Sequence, residues 1–197
     1  MAEHPAPVVL LDVDDVLIDW SGGFHPWMLA RGAIRDPGGA ASWDLCGSYP
    51  GLAWGEILAE INAFARSDSY RDMPLRDGAA REVAALRAAG CDVYAVTCCG
   101  TDPAILANRE HQLRDLPLKG VFPLDHSDPK APIYARFLPG AVVVDDAPKH
   151  LETAMRFGHA AIAYDAPWNG SVRCTDRMRD WTLGAIRIIR NLGLVAA

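Results

Sequence analysis

Two apolar runs in this sequence end in acid. Residues 8–11 (VVLL) lead straight into Asp12-Val13-Asp14-Asp15, and residues 141–144 (AVVV) lead into Asp145-Asp146. Short continuous runs rich in β-branched residues, set off by Pro or Gly, read as strands buried on both faces. The acids then emerge at strand C-terminal ends, where open α/β sheets bind ligands. Carboxylates gathered at one edge repel one another unless a cation lies among them. Hard oxygen ligands with room for water and phosphate suit Mg2+. Aspartates also begin turns and cap strand ends. That explanation serves for either cluster alone, but poorly for the same pattern met twice.

Thr97 closes another such run, residues 92–97 (DVYAVT), and Cys98-Cys99-Gly100-Thr101 follow it. A hydroxyl at that place, with loop N–H groups and the next helix N-terminus, can hold a phosphate oxygen. Lys130 stands in SDPKAP. A lone lysine is usually a surface residue, but the chain has only Lys119, Lys130 and Lys149 among its nineteen basic residues. An anion pocket needs fixed positive charge, which gives Lys130 weight.

These residues need a scaffold. Further apolar runs at residues 121–122 and 160–164 (AIAY at its end) extend the set of strands, and helical patterns lie between them. Asp77 is placed to cap a helix running to Gly90. Asp102-Pro103 opens a helix through Leu113, and Ala147-Pro148 opens one ending at Gly158. The pattern predicts a last amphipathic helix over about 176–192, with Met178, Trp181, Leu183, Ile186 and Ile189 buried. Strands alternating with helices imply βαβ units and a parallel sheet. The expected fold class is α/β, a Rossmann-like three-layer core built from residues 1–20 and 75–197. Residues 21–74 break the alternation: they carry Trp27, Trp43 and Trp54, with helical segments near 25–31 and 52–65 and no strand pattern. They read as a small helical cap inserted after the first strand.

Composition removes several classes. The chain has 197 residues, half of them hydrophobic and 22% charged, a globular composition that excludes disorder and low-complexity readings. A net charge of −6 disfavours duplex nucleic acid as a partner. Five cysteines without a C-x-x-C spacing fit reduced thiols in a cytoplasmic protein better than disulfides or zinc. No basic segment precedes the first apolar run, so no secretory leader is expected. No run approaches eighteen apolar residues, so no membrane span is expected either.

The motifs together resemble the haloacid dehalogenase-like superfamily. LLDVDDVLIDW is similar to its first motif, Thr97 to its second, Lys130 to its third and VVVDDAP to its fourth, in order and spacing across residues 8–164. More narrowly, DVDDVLIDW, the late DDAP and Ala166-Pro167-Trp168-Asn169 resemble the 5′(3′)-deoxyribonucleotidase-type branch. The resemblance implies that Asp12 is a nucleophile attacking phosphorus, and that Asp14 serves as acid and then base. It implies Mg2+ on the Asp12 carboxylate, the Asp14 carbonyl and a fourth-motif acid. Thr97 and Lys130 would clamp phosphoryl oxygens. Two positions depart from the family pattern. Asp145 stands where the fourth motif commonly has Gly, and His150 where it has a later Asp. Asp146 is therefore the expected direct metal ligand, with Asp145 outside it or as its alternate. Among the lysines Lys130 leads over Lys119 and Lys149.

The implied protein is a Mg2+-dependent phosphomonoesterase acting on a small phosphorylated metabolite, with nucleoside monophosphates favoured. A sugar phosphatase and a non-catalytic phosphate binder are the alternatives. Trp20, Phe24, Trp27, Trp43 and Trp54 are candidate stacking faces for a base; each could equally be cap core. Arg109 either approaches the pocket or sits on a solvated helix face. Cys98 and Cys99 are expected to line the pocket without acting as nucleophiles.

Overall fold

The computed structural model describes residues 5–36, 38 and 45–194. Its centre is strand β1 (Val8–Leu11), paired in parallel with β2 (Asp92–Thr97) on one side and β4 (Val142–Asp145) on the other. Outward from these lie β3 (Gly120–Pro123) beside β2, then β5 (Ala160–Tyr164) and β6 (Asp176–Met178) beyond β4. The order is β3-β2-β1-β4-β5-β6, all parallel. Because β1 lies between β2 and β4, the residues leaving all three C-terminal ends meet at one edge.

Alternation of side chains along each strand explains why these runs are apolar throughout. Val9, Leu11, Val93, Ala95, Val142, Val144 and Ile162 join one core cluster, while Leu10, Val96, Val143, Ala161 and Ala163 join another. The first cluster is covered by α5 (Ala79–Ala88) and α9 (Gly184–Asn191), through Val83, Leu86, Ala185 and Ile188. The second is covered by α7 (Ala131–Tyr134) and α8 (Pro148–Arg156), through Ile133, Tyr134, Leu151 and Ala154. The result is the three-layer α/β arrangement that the sequence pattern requires.

Between β1 and α5 the described residues form four helices: α1 (Trp20–Ala30), α2 (Leu45–Ser48), α3 (Trp54–Ala65) and α4 (Asp68–Arg71). They pack around Phe24, Met28, Tyr49, Ile57, Phe64 and Tyr70, with Cys99 and Ile105 joining from the α/β part. Helix α6 (Pro103–Leu113) is the surface they rest on. Asn108 donates to the Ala65 carbonyl at 2.9 Å, Gln112 donates to the Tyr70 carbonyl, and Arg66 pairs with Asp102 at 2.8 Å. Asp102 also caps α6, accepting from the Ala104 and Ile105 amides at 2.9 and 3.4 Å.

Three expectations are corrected. Residues 176–178 form edge strand β6, and the last helix starts only at Gly184. Leu183 takes a left-handed φ of 58° that breaks the chain direction before it. Met178 and Trp181 are buried as expected and Ile189 partly so, but Leu183 and Ile186 are 62% and 52% exposed. Helix α5 is entered through Gly78 at φ 84°, a conformation glycine tolerates, rather than capped by Asp77. Among the described residues no helix is long and apolar enough to cross a membrane.

Candidate active site

The acids do meet. Asp12 follows β1 directly, and its amide donates to the Val144 carbonyl at 2.9 Å, which seats it beside the end of β4. Asp12, Asp145 and Asp146 each present an oxygen within 4.8 Å of the others. Lys130, just before α7 and 1% exposed, lies 2.9 Å from Asp12 Oδ1 and donates to Asp145 Oδ2 at 2.7 Å. The other Asp145 oxygen accepts the Ala147 amide at 2.9 Å, and Asp145 does not line the cavity above. Asp146 does line it. Its Oδ2 accepts the Trp168 indole N–H at 2.9 Å.

Burial pushes the Asp12 carboxyl up to about 6, partly offset by Lys130 and reinforced by Asp145 and Asp14. Burial likewise holds Asp146 well above the usual carboxylate range, with Asp145 and Asp12 adding to it. One ammonium faces three carboxylates, so ionising all of them leaves an excess of negative charge in a buried, all-oxygen cluster. A divalent hard cation fits that donor set.

Asp14 is held differently. Both of its oxygens lie 2.6 Å from Nη2 of Arg109, a residue of α6 that is only 2% exposed. The guanidinium also lies 5.2 Å from the centre of the Tyr70 ring in α4. Asp15 takes a left-handed φ of 59° and turns the chain toward α1, its oxygens accepting the Ser21 amide and hydroxyl at 2.9 and 2.6 Å. Burial raises its carboxyl to about 6 despite these bonds.

Thr97 is fully buried at the end of β2, and its Oγ1 has no hydrogen-bond partner among the described residues. The neighbouring Cys98 and Cys99 line the cavity. Burial pushes the Cys98 thiol up to about 12, which leaves it protonated and a poor nucleophile at neutral pH. Lys119 pairs with Asp92 at 2.5 Å, at the opposite end of β2 from Thr97. Lys149, in the first turn of α8, lines the cavity.

The cavity has a volume of about 410 Å³. Asp12, Asp14, Asp146 and Lys130 are among its charged lining; Trp20 is the first residue of α1, Trp54, Ile61 and Tyr70 come from the helical insertion, and Trp168 from the loop after β5. Of the candidate stacking faces, Trp20 and Trp54 reach it. Phe24 and Trp27 do not: Phe24 is buried in the insertion, and Trp27 donates to Glu60 at 3.0 Å with the Arg31 guanidinium 3.6 Å over its ring. Trp43 lies outside the described residues. His25 and His150 also line the cavity. Burial keeps both rings neutral, lowering His25 to about 4 and His150 to about 3.

Three features were only partly legible in the sequence. Arg109, open in the sequence between a place at the pocket and a solvated helix face, is buried with a partner 95 residues away. The Trp168–Asp146 bond joins two loops 22 residues apart with no spacing signal. Placement of His150 at the cavity could be anticipated only from its occurrence one turn into the helix after Asp146.

Solved structures share this fold across nearly the whole chain. A haloacid dehalogenase family hydrolase from Deinococcus radiodurans R1, with bound phosphate and sodium, superposes with a TM-score of 0.67 at 17% identity, covering 98% of this chain and 99% of that one. A haloacid dehalogenase-like family hydrolase from Streptococcus pneumoniae gives 0.68 at 14% identity, covering 92% and 97%. CbbY from Rhodobacter sphaeroides, in complex with phosphate, gives 0.60 at 18% identity, covering 91% and 96%. No protein-family model and no curated protein matches the sequence. The chain has the haloacid dehalogenase-like fold, with a six-stranded parallel sheet and helices on both faces.

Proposed function

We propose that this protein is a Mg2+-dependent phosphomonoesterase that works through a phosphorylated Asp12. The observation that carries the reading is the meeting of Asp12, Asp146 and buried Lys130 at the ends of β1 and β4, beside Asp14 and beneath one cavity. Asp12 attacks phosphorus in line, the bond from phosphorus to the leaving oxygen breaks, and Asp14, entering the step protonated, delivers that proton to the leaving oxygen. Asp14 then takes a proton from water as the water attacks the aspartyl-phosphate. Inorganic phosphate leaves and the Asp12 carboxylate is restored. Lys130, which lines the cavity, holds a phosphoryl oxygen, and Thr97, buried behind the cavity wall next to Cys98, is the second expected clamp. Asp12, Asp146 and the Asp14 carbonyl would hold Mg2+, with Asp145 behind them. When bound, the ion neutralises the charge that otherwise keeps an anionic nucleophile from an anionic phosphate.

Nucleoside monophosphates are the favoured substrates, as the deoxyribonucleotidase-like motifs imply. Aromatic walls at Trp20, Trp54, Tyr70 and Trp168 and the neutral rings of His25 and His150 support a flat, uncharged leaving group. A sugar phosphate is the second reading, because a mutant of the Rhodobacter CbbY was solved with xylulose-(1,5)bisphosphate. In either case residues 21–74 act as a cap that selects substrate above an α/β core of 1–20 and 75–197. The five free cysteines fit a reducing cytoplasm. A phosphate-release panel across nucleotides and sugar phosphates, with and without Mg2+, tests this. Nucleotide preference supports the first reading, sugar phosphate preference the second, and no release in either condition removes both.

A further inference from the structure

The carboxylate cluster is also met by the loop after β5. After β5 the chain runs through Asp165-Ala166-Pro167-Trp168-Asn169-Gly170 before returning to edge strand β6. Trp168 donates its indole N–H to Asp146 Oδ2 at 2.9 Å. The next residue, Asn169, is fully buried and donates its side-chain amide to the carbonyls of Asp146 at 2.9 Å and Tyr164 at 2.7 Å. Adjacent loop residues thus hold Asp146 at both its side chain and its backbone.

The loop is itself fastened. The Asn169 amide oxygen accepts the Arg177 guanidinium at 3.2 Å and the Ala166 amide at 3.3 Å. Arg177, on β6, also donates to the carbonyls of Asn169 and Val172 at 2.8 and 2.7 Å. A surface loop with this many fixed backbone contacts presents Trp168 at a set position. An indole nitrogen can only donate, so it suits a carboxylate oxygen and takes up one of the two that Asp146 has.

We infer that Trp168, set in place by Asn169 and Arg177, is a positioning residue that orients the Asp146 carboxylate as a metal ligand. This rests on the reading above that Asp146 binds the divalent cation. Hydrogen-bond partners behind a ligand fix its rotamer before the ion arrives, and their loss typically weakens metal affinity by about 10–100-fold. The same indole lines the cavity. The residue that orients the metal ligand is therefore also a wall against which the organic part of the substrate rests.

The test is calorimetric titration of Mg2+, and of Mn2+, into the full-length protein without substrate. Trp168→Phe keeps a smaller aromatic wall and removes the N–H donor; it should weaken binding by about 10–100-fold with little change in melting temperature. Trp168→His, which restores an N–H on a ring, should recover part of the affinity. Wild-type affinity in Trp168→Phe overturns the inference while leaving the function intact, provided Asp146→Asn loses the metal. If the wild type binds no Mg2+, or Asp146→Asn binds it unchanged, the metal assignment fails and takes the inference with it. Should the Trp168 variants not fold, the wild type decides: one indole N–H resonance must shift on Mg2+ addition and broaden with Mn2+, and a spectrum in which none responds overturns the role.

Discussion

Arg109 and Asp14 are bound at two points: one guanidinium nitrogen lies 2.6 Å from each carboxylate oxygen, although the residues are 95 apart in the chain. The pair joins the loop after β1 to α6, and the Tyr70 ring of the insertion lies 5.2 Å from the same guanidinium. The proposed acid and base is therefore fixed by a buried cation that also touches the helical insertion. Arg109→Met should free Asp14 to turn away. Its cost for an alkyl phosphate should approach the about 10²–10⁴-fold share of an acid–base group. p-Nitrophenyl phosphate, whose phenolate leaves without a proton, should lose less. Steady-state kcat/KM on both substrates checks this; equal losses would indicate disturbed packing. Asp14→Asn should also destabilise the fold, by up to about 3–5 kcal/mol, because it strands the Arg109 charge.

Asp146 behaves in the opposite sense. Burial, with Asp145 and Asp12 nearby, disfavours its ionised form in the metal-free protein. Asp146→Asn should raise the melting temperature of that protein, each 1 kcal/mol appearing as about 2–4 °C in a chain of this size. Addition of Mg2+ should then stabilise the wild type, by about 2.7 kcal/mol at a hundredfold excess over Kd, and leave the variant unmoved. Thermal melts with and without Mg2+ measure both effects. A lower melting temperature in the metal-free variant would contradict the electrostatic account.

His150 makes stability depend on acid. Burial, then the Lys130 charge, lower its ring from 6.5 to about 3. Between those values the unfolded chain binds a proton that the folded chain refuses, so stability falls as pH drops from about 6.5 toward 3. His150→Gln should remove that contribution. The difference in melting temperature between variant and wild type should be constant above pH 7 and should grow in the variant's favour below about 6. A difference independent of pH would mean that the ring is not held neutral.

The two described tryptophans of the segment 21–74 should separate. Trp54 is half exposed and lines the cavity, whereas Trp27 is tied to Glu60 and Arg31. Trp54→Ala should weaken nucleotide turnover by about 1–3 kcal/mol, the scale of base–aromatic stacking, with little effect on p-nitrophenyl phosphate. Trp27→Ala should lower the melting temperature and change both substrates together. Comparing kcat/KM ratios with thermal melts distinguishes them.

What the sequence revealed follows from range. The strands leading to Asp12, Thr97 and Asp145 are continuous apolar runs because both faces of the sheet are covered, and such runs are visible locally. Lys130 could be singled out because lysine is so rare here. Strand β6 was hidden because its three residues, DRM, have no apolar run to announce them and pair along one edge only. Leu183 and Ile186 keep a helical spacing with each other and with Ile189, yet with the left-handed turn at Leu183 they lie exposed to solvent. Arg109 stayed open between the pocket and a solvated helix face, and Trp168 stood only within a short motif, since each acquires its partner only when the fold brings a distant aspartate to it.

The phosphorylated aspartate is the central claim, and acid-quenched mass spectrometry tests it most directly. The protein is mixed with p-nitrophenyl phosphate and Mg2+, quenched within a turnover, digested and sequenced by fragmentation. One phosphoryl group should be found on Asp12, and Asp12→Asn should show neither that group nor release of p-nitrophenol. Undiminished turnover by Asp12→Asn, or a phosphoryl group on another side chain such as His150 or Cys98, would contradict the mechanism.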